Sequence, residues 1–201
     1  MTAARRASRP RRAGARAARG GARAPARRAA APRRGVHASG QHASRPVAVA
    51  LVTVSDTRSG PADTSGALAE RLLLRAGARL AGRAWVRDTV VAIRSAARRA
   101  LARRDVDVLL LTGGTGVASR DVTPEALRPL LERELPGFGE RFRAFSWASV
   151  GSAAWLSRAG AGVARGRLVV YLPGSAGAVR DALEQLLLPE LVHAVRLLGR
   201  L

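Results

Sequence analysis

Three short apolar runs are the feature that most constrains the fold of this chain. They cover residues 47–55, 106–112 and 168–172, and they consist mostly of valine, leucine and alanine. They show little of the strict polar and apolar alternation of a strand with one solvent face, so each predicts a strand that is buried on both faces. Each run is also far shorter than the ~20 residues of a membrane-spanning helix.

Helical patterns separate these runs along the chain. The segments predicted to be helical are about residues 63–76 and 90–103, a segment that starts at a Thr123 cap, a segment that ends near Ser149, and two segments near the carboxyl end. Residues 79–87 predict one more strand, and residues 136–139 (Pro-Gly-Phe-Gly) predict a loop. Strands that alternate with helices of this length predict a mainly parallel sheet covered by helices on both sides.

The first 46 residues differ in composition from the rest. They contain 13 arginines and no acidic residue, whereas residues 47–201 contain 22 arginines and 14 acids, an excess of +8. Without apolar periodicity, residues 1–46 are predicted to be a disordered tail, and residues 47–201 are predicted to form the folded domain. The tail is either a solvated extension or an arm for nucleic acid or another anionic surface. No aromatic residue stands among its arginines to stack on bases, so nucleic acid is not an expected partner beyond weak binding through this tail.

The residue types of the chain exclude several classes of site. There is no cysteine, which excludes disulfides, zinc–thiolate sites and cysteine nucleophiles. His37 and His42 lie in the tail and His193 lies in the last predicted helix, so they form no metal-ligand set and no nucleophile–histidine–acid triad. The arginine-rich start lacks the apolar stretch of a secretory signal, and we therefore expect a cytoplasmic protein without contact to a membrane.

Three loops follow the ends of predicted strands. They are residues 55–57 (Ser-Asp-Thr), 113–116 (Gly-Gly-Thr-Gly) and 173–175 (Pro-Gly-Ser). The carboxyl ends of parallel strands lie at one edge of a sheet, and ligands of such sheets bind at that edge. We therefore predict that these three loops converge on one binding site.

The loop at residues 113–116 is suited to an anion. Three glycines in four positions remove side-chain bulk, so backbone N–H groups can approach a phosphate closely, and Thr115 adds a hydroxyl. The loop has neither the Gly-Lys-Ser/Thr ending of a P-loop nor the spacing of a dinucleotide fingerprint. A tight turn without a ligand is the alternative interpretation.

Two acids accompany this loop. Asp121 follows it by five residues, and Asp88 closes the strand predicted at residues 79–87. Asp121 either holds Mg²⁺ beside a phosphate or compensates the amino end of the next helix, and Asp88 alone is an ordinary loop acid. Together, two acids at neighbouring strand ends near a glycine loop indicate a metal-assisted phosphoryl or nucleotidyl transfer site.

Five motifs, in matching order and spacing across residues 47–198, resemble the MoaB/MogA family of molybdenum cofactor biosynthesis proteins. They are VTVSDTR at 52–58 with DTSG at 63–66, LTGGTG at 111–116 with RDVTPEA at 120–126, PGFGE at 136–140, LSRA at 156–159 and LPGS at 172–175. The SDTR start and residues 157–162 are more similar to MoaB than to MogA.

The resemblance implies a three-layer α/β/α sandwich and a homotrimer or homohexamer. It implies binding of molybdopterin and Mg-ATP, with attack of the terminal phosphate of molybdopterin on the α-phosphorus of ATP and release of pyrophosphate. The product is adenylylated molybdopterin. The rival hypothesis is a molybdopterin-binding protein of the same fold that does not turn over ATP.

The resemblance also assigns roles to individual residues. Asp88 and Asp121 become the catalytic acids and the Mg²⁺ ligands. The residues implied to bind substrate or phosphate are Ser55, Asp56, Thr57, Thr112, Gly113, Gly114, Thr115, Gly116, Glu140, Ser146, Ser157, Arg158, Pro173, Gly174 and Ser175. Two positions depart from the family pattern, Arg87 and Ala176, each of which stands where the family usually has proline. Neither departure removes a functional group.

Overall fold

A computed structural model of the protein describes residues 45–201, and the prediction of a disordered tail therefore lies, for residues 1–44, outside the described residues. The domain is built on a six-stranded sheet. Its strands are β1 (Ala48–Val54), β2 (Arg79–Val86), β3 (Val108–Thr112), β4 (Arg133–Glu134), β5 (Gly160–Ala164) and β6 (Arg167–Leu172). The spatial order is β2-β1-β3-β6-β5-β4, in which the first four strands are parallel and β5 is antiparallel to both of its neighbours, β6 and β4.

Helices cover both faces of the sheet. They are α1 (Thr64–Arg75), α2 (Val90–Ala102), α3 (Thr123–Leu127), α4 (Pro136–Val150), α5 (Ala176–Ala182) and α6 (Leu188–Leu197). The core on one face contains side chains from α1, α4, α5 and α6, and the core on the other contains side chains from α2 and α3. This arrangement is the three-layer α/β/α sandwich, and the predicted fold class is confirmed.

The three apolar runs form the centre of the sheet. Alternate residues of each strand enter opposite cores: Leu110 packs with one set of helices, and Leu109 and Leu111 pack with the other. Both faces of these strands are therefore removed from water, which is why their sequences lack polar alternation. No helix within residues 45–201 is long and apolar enough to cross a membrane.

The structure differs from the sequence predictions at three places. Residues 136–139 are the first turn of α4, which begins at Pro136, and the predicted loop is wrong because proline fits the first helical position. Thr123 is inside α3 rather than its cap, and its hydroxyl donates to the Gly113 carbonyl oxygen. The antiparallel pair β4 and β5 was not predicted.

An ionic cluster closes the amino-terminal edge of the sheet. Asp107, fully buried just before β3, accepts hydrogen bonds from the Arg45 guanidinium at 2.6 and 2.8 Å, from the Ala48 amide and from Arg200 Nε. Burial alone would raise the pKa of Asp107. The pKa is nevertheless below its usual range, because the hydrogen bonds from Arg45 and Ala48 and the charges of Arg45 and Arg200 outweigh the effect of burial. Arg45 also donates to the Arg200 carbonyl oxygen, so the two ends of the described chain are joined here.

Candidate functional site

A cavity of about 390 Å³ opens at the carboxyl ends of the parallel strands. Its lining comes from the loops after β1, β2, β3 and β6, so the predicted convergence of loops is present. The lining residues are Thr53, Val54, Ser55, Asp56, Thr57, Arg58, Asp63, Ser65, Asp88, Thr112, Gly113, Gly114, Arg120, Asp121, Gly174 and Ser175. We call this the edge cavity.

At Gly113 and Gly114, the glycine loop of the edge cavity has no room for a side chain and has backbone angles that favour glycine. Gly113 and Gly114 have φ angles of +104° and +65°, which L-residues rarely adopt. A Cβ on Gly114 would also lie 2.7 Å from Asp88 Oδ1 and 2.5 Å from Thr123 Oγ1. Gly114 therefore lets the loop pass directly beside the Asp88 carboxylate, whereas a Cβ on Gly113 would collide with the Val54 carbonyl oxygen.

Thr112, the last residue of β3, places a hydroxyl at the floor of the edge cavity. Its side chain is buried, and Oγ1 has no hydrogen-bond partner among the described residues. Its neighbour across the sheet, Thr53, is also buried but donates a 2.6 Å hydrogen bond to Asp63 Oδ2. A buried hydroxyl without a partner is rare and costs stability. Thr115 Oγ1 of the glycine loop is in the same state, but of these two threonines only Thr112 lines the edge cavity, so Thr112 is a candidate donor to a ligand there.

Hydrogen bonds connect the loops that carry the acidic residues of the edge cavity. The Asp88 amide donates to Asp56 Oδ1 at 3.1 Å, and Asp88 Oδ1 accepts from the Val122 amide, directly after Asp121. Burial and the neighbouring charges of Asp121 and Asp56 raise the pKa of Asp88. The hydrogen bond from the Val122 N–H and the charge of Arg120 oppose this rise but do not outweigh it. This concentration of negative charge favours a bound cation.

The donor set suits magnesium rather than a metal held by protein alone. Within residues 45–201 no group of three or more His, Cys, Asp or Glu side chains is arranged to hold a metal ion. Mg²⁺ is commonly held by one or two carboxylates together with substrate phosphates and water. Asp88 and Asp121, which both line the edge cavity, fit that mode.

Asp63 is a cavity residue that the sequence prediction did not assign to the site. Its buried carboxylate accepts hydrogen bonds from Thr53, Ser65, the Gly66 amide and, at 3.0 Å, Arg83. Burial would raise the pKa of Asp63, but these hydrogen bonds together lower it. In the sequence, Asp63 stands at the start of a predicted helix and of the DTSG motif, without a role of its own, and in the structure its side chain caps α1. Arg58 and Arg120, two further cavity residues, belong to the motifs SDTR and RDVTPEA of the resemblance, but the sequence prediction gave neither of them a role.

A second cavity, of about 690 Å³, holds other predicted residues. Glu140, Ser157 and Arg158 line it, together with aromatic and proline side chains that include Trp155 and Tyr171. The remaining predicted residues line neither cavity. Thr115 and Gly116 continue the glycine loop, Ser146 is buried in α4, and Pro173 follows β6.

Comparisons with known proteins agree with this architecture. A family model described as a probable molybdopterin binding domain matches residues 50–193. The chain is 45% identical over 157 residues to Molybdenum cofactor biosynthesis protein B of Bacillus subtilis, which covers 78% of this chain and 92% of that protein.

Solved structures give the same result. A crystal structure of a Molybdenum cofactor biosynthesis protein B superimposes with a TM-score of 0.76 at 43% identity, covering 80% of this chain and 100% of that one. MoaB from Thermus thermophilus superimposes with a TM-score of 0.68 at 38% identity, covering 76% and 96%. The chain therefore belongs to the MoaB/MogA family of molybdenum cofactor biosynthesis proteins.

Proposed function

We propose that this protein transfers an adenylyl group from Mg-ATP to molybdopterin in molybdenum cofactor biosynthesis. In this reaction a terminal phosphate oxygen of molybdopterin forms a bond to the α-phosphorus of ATP. The bond from that phosphorus to the bridging oxygen of pyrophosphate breaks, and the products are adenylylated molybdopterin and pyrophosphate. The names of the relatives support the pathway, and the residues of the edge cavity support the reaction.

The unpartnered Thr112 hydroxyl is the observation that carries this proposal. It lies beside Gly113 and Gly114, whose backbone can approach an anion, and on the same cavity as Asp88 and Asp121. A hydroxyl together with backbone N–H groups suits a phosphate oxygen, because each of them can donate a hydrogen bond to it. The acids are suited to a different task, since carboxylates repel phosphate unless a cation lies between them.

Asp88 and Asp121 would hold the magnesium ion. Mg²⁺ there offsets negative charge on the α-phosphate and on the departing pyrophosphate. The Asp88 carboxylate is held by the Val122 amide, and the Asp121 carboxylate is held by the Ala118 amide at 3.0 Å. Both acids are thus oriented by backbone donors before substrate arrives, which lowers the cost of ordering them during the reaction.

The direct test is incubation of the purified protein with molybdopterin, Mg²⁺ and ATP. We expect stoichiometric pyrophosphate and adenylylated molybdopterin, detected by a coupled pyrophosphate assay and by mass spectrometry. Binding of molybdopterin with no pyrophosphate would favour the rival, a non-catalytic molybdopterin-binding protein. Failure to bind molybdopterin would overturn both.

We also propose that the protein assembles as a homotrimer or homohexamer. Trp147, Val150 and Trp155 are exposed large apolar side chains in and just after α4, and exposed aromatic groups of this kind are typical of protein interfaces. Light scattering after size exclusion measures the assembly directly. Trp147→Glu should shift the mass toward the 21.1 kDa of one chain, and an unchanged mass would contradict this interface.

A further inference from the structure

Arg158 lies between the glycine loop and the second cavity and is hydrogen-bonded to the loop at several points. Its Nε donates to the Gly116 carbonyl oxygen at 2.8 Å, and its Nη2 donates to the Asp121 carbonyl oxygen at 2.5 Å. Its Nη1 forms an ion pair with the Glu125 carboxylate at the start of α3. The Arg158 amide donates to the Thr115 carbonyl oxygen at 2.8 Å. One residue therefore contacts both ends of the segment 115–121 and the helix that follows.

These contacts commit Arg158 to the protein rather than to a ligand of the edge cavity. Three of the five guanidinium N–H groups have protein acceptors, and the side chain lines the second cavity but not the edge cavity. The hydrogen bonds that the loop makes within itself are short-range, such as Asp121 N to the Ala118 carbonyl oxygen. Arg158 therefore adds a connection from a distant part of the chain, 37 residues away from Asp121.

We propose that Arg158 is a positioning residue that fixes the carboxylate of Asp121 in the edge cavity by holding the Asp121 main-chain carbonyl. The planar guanidinium is suited to this task because its donors keep fixed angles, whereas a lysine ammonium cannot reach three separate acceptors in one plane. The catalytic part of this inference rests on the proposed function. Its structural part, the immobilisation of the loop, does not.

Amide hydrogen exchange of the ligand-free protein tests the structural part. Arg158→Ala should speed exchange in a peptide spanning residues 113–123 by about tenfold, the scale of losing a charge-assisted hydrogen bond. Arg158→Lys should give an intermediate rate. Arg128→Ala is the matched control, because Arg128 lines the same cavity but pairs with Glu134 in solvent with its side chain 80% exposed, and it should leave the loop unchanged. Wild-type exchange in both Arg158 variants would overturn the proposal.

Steady-state kinetics test the catalytic part. Arg158→Lys should lower kcat by about tenfold or more, the scale of a small misplacement of a catalytic group, with the KM for molybdopterin nearly unchanged. A raised KM with unchanged kcat would instead make Arg158 a substrate ligand and overturn the positioning role. If the wild-type protein produces no pyrophosphate, the proposed function fails, while the exchange experiment still decides whether Arg158 holds the loop.

Discussion

Replacing Thr112 by valine should stabilise the free protein and weaken its ligand binding. Valine has nearly the shape of threonine but no hydroxyl, so Thr112→Val removes a buried donor that has no partner among the described residues. A buried hydroxyl without a hydrogen bond costs about 1–3 kcal/mol. We therefore expect the free energy of unfolding to rise by about 1 kcal/mol and the Tm to rise by about 3 °C.

Thr53 is the matched control for this substitution. It pairs with Thr112 in the register of β1 and β3, but its hydroxyl donates to the buried Asp63 carboxylate at 2.6 Å. A hydrogen bond to a charged group contributes about 1.5–3 kcal/mol, and Thr53→Val leaves that acceptor without one of its donors. The same change of side chain at two adjacent positions should thus have opposite effects on stability.

Urea and thermal unfolding measure the two stabilities, and calorimetry measures molybdopterin binding. Thr112→Val should weaken binding by about tenfold, the effect of one lost hydrogen bond of ~1.4 kcal/mol. Destabilisation of Thr112→Val to the extent of Thr53→Val would show that the Thr112 hydroxyl already has a partner in the folded protein. Unchanged binding would show that the hydroxyl does not face the ligand. Either result would refute the reasoning for a phosphate at this point.

The remaining predictions concern other parts of the chain. Asp88→Asn and Asp121→Asn should each lower adenylylation by about a hundredfold or more while molybdopterin binding survives, and wild-type rates in both would remove these acids from the mechanism. Gly114→Val should weaken binding of molybdopterin and nucleotide in equilibrium dialysis with the fold retained by circular dichroism, because its Cβ would collide with the Asp88 carboxylate; intact binding would exclude the loop from the site. The folded-state pKa of Asp107 is lowered, so its contribution to stability is complete above the unfolded pKa of about 4 and is lost as pH falls toward the folded pKa. Urea unfolding should therefore show a steeper loss of stability below about pH 4 than in Asp107→Asn, and parallel pH profiles would contradict this. Deletion of residues 1–44 should leave the Tm and the oligomeric mass unchanged, whereas a large fall in Tm would show that the tail supports the fold.

The parallel half of the fold could be predicted because its signals are local. The strands β1, β3 and β6 are continuous apolar runs, and their burial on both faces is visible in the sequence itself. The strand β5 (Gly-Ala-Gly-Val-Ala) has low intrinsic strand preference. Its glycines are explained only by close neighbours, since a Cβ on Gly162 would lie 2.6 Å from the Arg133 carbonyl oxygen. No pattern along the chain contains that information.

Some residues of the candidate site could likewise be predicted from local sequence signals, and others could not. Asp88, Asp121 and the glycine loop were recognisable because each stands shortly after a predicted strand, where chemistry is expected. Asp63 was not, because a helix cap and a cavity acid look identical in sequence. The contacts of Arg158 also depend on tertiary structure, since its acceptors lie 33 to 42 residues away along the chain.

The ionic cluster around Asp107 fixes the position of the carboxyl end, through which other molecules can be attached to this domain. Because Arg45 reaches the Arg200 carbonyl, the carboxyl end lies at the edge where the parallel strands begin. The seven residues of β1 separate that edge from the edge cavity by about 23 Å. A fusion partner, a fluorophore or a solid support linked through Leu201 is therefore attached at the edge opposite the cavity, and the sheet itself serves as the spacer.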